Sequence, residues 1–153
     1  VAEIVSLHRS PGGVPKTFVP EVAVTRDGLD GDGHRFYLHG GEDKALCIYA
    51  MELIEALQAE GHPIAPGTTG ENVTVRGLDW RLMVPGARVR LGAVLAEVTD
   101  YSTPCKTIAG SFRDGRSTRI GQKAYPGWSR VYARVLEPGV LRVGDAVSLV
   151  ADD

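Results

Sequence analysis

Gly86-Ala87-Arg88-Val89-Arg90-Leu91-Gly92-Ala93-Val94-Leu95-Ala96-Glu97-Val98-Thr99 is the stretch that decides the fold. Gly86 opens a turn, and Val89 and Leu91 then alternate with arginines, so apolar side chains point to one face and charges to the other. Leu91-Gly92-Ala93 is a tight turn, and Leu95 to Thr99 returns as a second strand. The pattern G-x-x-V-x-L recurs at Gly144-Asp145-Ala146-Val147-Ser148-Leu149. The two copies are expected to be equivalent strands at the edge of a barrel.

Working outward, Val1 to Leu7 reads as a strand that ends at the Ser10-Pro11-Gly12-Gly13 turn cluster. Val22 and Val24 form another short strand, Val73 and Val75 a third, and Val131, Ala133 and Val135 a fourth that stops at Pro138-Gly139. Ala45 to Tyr49 is a buried apolar segment. Ala50, Leu53, Ile54 and Leu57 fall at i, i+3, i+4 and i+7, the spacing of one helix face, with Gly61 as the C-terminal cap and Pro63 beyond it. Residues 26–43 read as a long loop, and loops of that length are usually functional. With 19 glycines and 9 prolines, the chain carries enough turn residues for many short strands. The expected fold is mainly β: a closed or nearly closed barrel with one or a few short helices, in a single domain over residues 1–153.

The formal net charge of -2 favours neither nucleic acid nor an acidic membrane surface. No apolar run is long enough for a membrane helix, and no secretory signal is visible. Two cysteines, Cys47 and Cys105, make neither a disulfide framework nor a CxxC pair, so a cytoplasmic location is expected.

Cys105 is the sharpest site residue. Pro104 stiffens the backbone before it, and Lys106, Arg113, Arg116 and Arg119 follow nearby. Positive charge favours the thiolate, which is both nucleophile and soft-metal ligand. The alternative is a small buried apolar residue. Cys47, inside Ala45-Leu46-Cys47-Ile48, reads as core.

The loop from Gly28 to Lys44 holds glycines, carboxylates, His34 and His39. It fails as a calcium loop, because Arg35 falls where glycine is needed. It lacks the spacing of a dinucleotide fingerprint, and the two histidines lack a second ligand pair for zinc. A tight glycine turn with solvated acids remains open. Glu71 and Asn72 can hydrogen-bond a heterocycle edge or belong to a plain polar turn. The basic stretch 110–130 suits phosphate or is simply solvated, and Trp128 is either core or the cover of a ligand ring. No G-x-S-x-G elbow supports a serine hydrolase.

Several of these pieces form an ordered set. Gly28-Leu29-x-Gly31-Asp32-x-His34 is followed by His39-Gly40-Gly41-x-Asp43-Lys44-Ala45. Gly70-Glu71-Asn72, Pro104-Cys105, Gly127-Trp128, Arg134-Val135 and Gly144-Asp145 come after it. In that order the chain resembles the MOSC domain, the C-terminal domain of molybdenum cofactor sulfurases, which also occurs as small stand-alone proteins. The resemblance implies a β-rich fold like the pyruvate-kinase barrel domain. It also implies a cysteine, here Cys105, that ligates molybdenum or carries sulfane sulfur. Relatives include amidoxime-reducing components and small bacterial proteins that reduce N-hydroxylated bases. Molybdenum cofactor is therefore the expected cofactor, with His34, His39, Gly40, Gly41, Asp43, Glu71, Asn72 and Arg113 as its expected contacts.

Two positions depart from the family pattern. Ser102 stands where many members have Arg in R-x-P-C, and Leu38 stands where some have His. Residues 1–153 include no aminotransferase-like sulfurase domain, so the chain is not expected to make sulfane sulfur unaided. Three readings follow: a molybdenum-dependent reductase of N-hydroxylated small molecules fed by an external electron donor; a sulfur or cofactor carrier with a persulfide on Cys105, served by a sulfurase partner; and a metal-free thiol redox protein.

Overall fold

A computed structural model describes residues 2–12, 14–32 and 42–151. Strands dominate it, as expected. They are β1 (Glu3–Arg9), β2 (Thr17–Phe18), β3 (Glu21–Thr25), β4 (Gly28–Leu29) and β5 (Leu46–Ala50); then, after helix α1 (Met51–Ala59), β6 (Val73–Arg76), β7 (Arg88–Leu91), β8 (Val94–Tyr101), β9 (Val131–Glu137), β10 (Gly139–Arg142) and β11 (Val147–Val150). An eight-stranded sheet has the order β11-β7-β8-β9-β5-β6-β1-β2, and a three-stranded sheet has the order β10-β3-β4.

The expected barrel closure is not what forms. The large sheet stays open, and among the described residues its two sides are joined around an isolated bridge between Glu3 and Ala146. Ile4 N donates to Asp145 O, Gly144 N to Ile4 O and Val147 N to Ala2 O, so the seam is stitched around a turn rather than along a ladder. The two G-x-x-V-x-L segments are also not both edges. They pair with each other, Val147 opposite Leu91 and Leu149 opposite Val89, which leaves β11 outermost and β7 inside the sheet.

The decisive hairpin forms as its sequence predicts, with Leu91 opposite Val94 across Gly92-Ala93. Alternation buries Val89 and Leu91 on β7, Val94, Ala96 and Val98 on β8, and Val131, Ala133 and Val135 on β9. These side chains join Ile4, Leu7, Val73 and Val75 in one core. Strand β5 is buried along its whole length because both of its faces are covered, Leu46 and Ile48 joining the main core and Tyr49 a second, smaller one. It pairs parallel with β6, and α1 supplies the crossover.

Helix α1 buries Ile54 and Leu57 in a second, smaller core with Tyr49, Ile64, Ile108, Phe112 and Ile120. It ends as the sequence indicates. Gly61 has φ +94°, its N–H donates to Gln58 O, and His62 N donates to Leu57 O. Those two bonds form a Schellman motif.

Candidate functional site

Beyond β8 the chain leaves the sheet, and the space it opens is a cleft of about 280 Å³. Cys47 on β5 lies opposite Tyr132 on β9, and Tyr132 lies opposite Asp100 on β8. Directly opposed residues share one face of a sheet. These three therefore form a row across neighbouring strands, and all three line the cleft. On β9 the alternation that sends Val131 and Ala133 into the core turns Tyr132 the other way.

Cys105 stands at the rim of the cleft and is exposed. Its backbone is extended, with φ -134° and ψ 177°, and it precedes the 3-10 turn Lys106–Ser111. Its Sγ lies 2.7 Å from Thr107 Oγ1, and either group can donate. Behind it, Ser102 is buried and its N–H donates to Arg130 O.

Three cations line the same cleft: Lys16, Lys44 and Arg130. Lys16 Nζ is 2.7 Å from Asp32 Oδ2, and both side chains are nearly excluded from solvent. Lys44 Nζ sits 5.2 Å from the centre of the Tyr132 ring. Arg130 is buried, and its Nη1 donates to Thr69 O.

The polar groups below the cleft are mostly uncharged. Burial pushes the Cys47 thiol up to about 11, so it stays protonated and in the core, as its sequence context predicts. Burial raises Glu71 to about 7, against the opposing pull of Arg130. Burial lowers His8 to about 4. Burial also raises Tyr132.

The sequence-predicted residues divide into four groups. Cys105 and Asn72 line the cleft. Asn72 spends its amide within the protein: Oδ1 accepts from Cys47 N, and Nδ2 donates to His8 O and to Asp32 Oδ2. Glu71 is fully buried and outside the lining. Asp43 and Arg113 are exposed and also outside it: the Asp43 carboxylate is 3.7 Å from Arg134 Nη1, and Arg113 N donates to His62 Nδ1. His34, His39, Gly40 and Gly41 lie outside the described residues.

Of the basic stretch, Arg130 lines the Cys105 cleft, while Arg113, Arg116, Arg119 and Lys123 lie outside its lining. Arg119 pairs with Glu60 at 2.8 Å, and its guanidinium lies over the Trp128 ring at 4.1 Å. Trp128 thus packs on an arginine and on the smaller core. Sequence reasoning passed over Lys16, Asp100 and Tyr132, and quoted Lys44 only within His39-Gly40-Gly41-x-Asp43-Lys44-Ala45. Tyr132 could have been found from the β9 alternation alone; Lys16 could not, since nothing in its neighbourhood points to the cleft.

The profile of the MOSC domain family matches residues 36–148. The Bacillus subtilis (strain 168) protein YflK is 30% identical over 132 residues, which is 85% of this chain and 59% of YflK. The chain therefore spans well under two thirds of that relative. The crystal structure of YiiM from Geobacillus stearothermophilus superposes with a TM-score of 0.75 at 30% identity, covering 99% of this chain and 76% of that one. YiiM from Escherichia coli gives 0.71 at 25% identity, over 98% of this chain and 70% of its own.

Proposed function

The chain belongs to the MOSC domain family, and on that premise we propose that the cleft holds molybdenum cofactor, with Cys105 as the protein's ligand to the metal, and that the loaded protein reduces N-hydroxylated compounds. The observation that carries this reading is a juxtaposition: the exposed Cys105 thiol opens on the same cleft as Lys16, Lys44 and Arg130.

One thiol beside three cations suits a metal that arrives with ligands and negative charge of its own. Among the described residues no group of three or more His, Cys, Asp or Glu is placed to hold a bare ion. A thiolate is a soft donor that matches a dithiolene-bound metal, while lysine and arginine suit a terminal phosphate. When bound, the cofactor supplies a two-electron redox centre.

The remaining work falls to the chain. Asp32 orients Lys16, and the Thr69 carbonyl holds Arg130, so the cations that face an anion are held in place. The Tyr132 phenol and the Asp100 carboxylate flank the cleft on paired strands and offer a donor and an acceptor to an N–OH group. Reduction of R–NHOH to R–NH2 takes up two electrons and two protons and releases water, and the electrons come from an external donor. A cytoplasmic location, where a thiol ligand stays reduced, belongs to the same proposal.

Elemental analysis for molybdenum, with fluorescence of the released oxidised pterin, tests it in protein from a host that makes the cofactor. Wild type should carry both near stoichiometrically, and Cys105→Ser should lose most of the metal and the activity with a chemical reductant. A Cys105→Ser protein that stays loaded and active overturns the reading. Cyanide-labile sulfur on Cys105 without molybdenum would favour the carrier instead.

A further inference from the structure

Beneath the cleft, two oppositely charged side chains each keep one polar atom without a partner. Glu71 is 0% exposed. Its Oε1 accepts from Gly67 N at 3.0 Å and Thr69 Oγ1 at 3.1 Å, but its Oε2 has no partner. Arg130 is 5% exposed and lines the cleft. Its Nη1 donates to Thr69 O, and its Nε has no acceptor. Thr69 therefore touches both groups, one through its hydroxyl and the other through its carbonyl. Buried polar atoms are almost always paired, and an unpaired donor on a buried side chain that itself lines a ligand-sized cleft points to a ligand atom that completes the set.

We propose that the floor of the cleft is an oxyanion site built on Arg130, and that filling it loads a proton onto Glu71. A guanidinium with a spare N–H is the donor best matched to a phosphate, sulfate or carboxylate oxygen. Arg130 is also a positive charge that favours the ionised form of Glu71. An anion on Arg130 cancels that favour, and burial then drives the carboxyl to its neutral form.

The other groups facing Glu71 do not compete for the proton. His8 on β1 is held neutral by burial. Cys47 and Tyr49 on β5 are held neutral because burial raises both. Lys16 is tied to Asp32. Glu71 is the member of this set that changes charge near neutrality. Linkage makes the coupling reciprocal: an anion that raises proton affinity binds more weakly as the pH rises.

The oxyanion can be the terminal phosphate of a bound cofactor or a free anion. The site stands on the chain's own residues, so it does not depend on the molybdenum reading. Sulfate is the probe, because it does not itself titrate near neutrality. The readout is the ¹⁵N–¹H signal of arginine Nε groups. One signal, missing from Arg130→Lys, should shift saturably with sulfate.

Above the Glu71 titration the sulfate affinity should fall towards about tenfold per pH unit, and in Glu71→Gln it should be nearly flat. No shift of the Arg130 signal, or the same pH slope in Glu71→Gln, overturns the proposal. If either variant fails to fold, calorimetry on wild type in buffers of different ionisation enthalpy decides: proton uptake on sulfate binding supports it and zero uptake sinks it. Repeating the titration on cofactor-loaded protein separates the sources. A signal already shifted and unresponsive assigns the site to the cofactor phosphate, and a retained response assigns it to a free anion. Absence of molybdenum would sink the reductase reading and leave this titration untouched.

Discussion

Asn72 joins four parts of the chain through one amide. It sits just before β6, accepts from Cys47 on β5, and donates to His8 on β1 and to Asp32, which in turn accepts from Ser10 N and Lys16 Nζ. Replacing it with alanine strands a buried backbone donor and loosens the Lys16–Asp32 pair. Asn72→Ala should lower stability by about 2–4 kcal/mol, read as a lower urea midpoint with an unchanged slope. Gly70-Glu71-Asn72 was legible as a polar turn of some consequence, but not as one turned inward. Its partners come from three distant segments, and hydrogen-bonding capacity in a sequence does not say whether a ligand or the protein's own backbone will use it. Cys105 was legible because Pro104 and the residue types around it are local. Lys16 was not singled out, and Arg130 was read only as one charge of the basic stretch 110–130, for the opposite reason: only the assembled sheet brings the β1–β2 connection beside the turn before β9.

Among elements, those carried by short-range pattern came out of the sequence intact. The β7–β8 hairpin needed only alternation and Gly92, and α1 needed only its apolar face and Gly61. Three strands escaped notice. β2 and β4 are two residues each, too short to alternate. β10 begins at Gly139, where Pro138-Gly139 reads as a stop; the chain turns there and goes on to pair with β3. Two turn glycines now make a paired test. Gly67 has φ +85°, and an added Cβ would lie 2.8 Å from both the His8 ring and the Lys16 carbonyl oxygen. Gly61 has φ +94°, but the nearest atoms to its added Cβ belong to the exposed Arg113 side chain, at 3.4 Å, an ordinary van der Waals contact. Gly67→Ala should therefore cost about 2–4 kcal/mol and Gly61→Ala about 1 kcal/mol, both by thermal or urea unfolding.

For the molecule as a whole, two buried groups set opposing responses to pH. Glu71 is raised from 4.5 to about 7, so the fold holds its proton more tightly than the unfolded chain does. Its contribution is fully present below about pH 4.5 and is lost as the pH rises through 7, by an amount of order 3 kcal/mol. His8 is lowered from 6.5 to about 4, so its contribution is fully present above pH 6.5 and is lost as the pH falls through 4. Across the shared window the two slopes offset, and wild-type stability should be nearly flat from about pH 4.5 to 6.5. Glu71→Gln should expose a rise in stability with pH over that window, and His8→Gln a fall, both measured by urea unfolding at a series of pH values.

The seam between Ala2–Ile4 and Gly144–Val147 has a consequence for how the protein is made. Synthesis delivers β1 well before its partners, because Ile4 is stitched to Gly144 and Asp145 and Ala2 to Val147, far along the chain. Until residue 147 has emerged, the nascent chain presents two raw sheet margins, one along β7 and one at the start of β1. Those margins are open to pairing with a neighbour on the same messenger, and the arrival of the Gly144–Val147 segment is what removes the hazard.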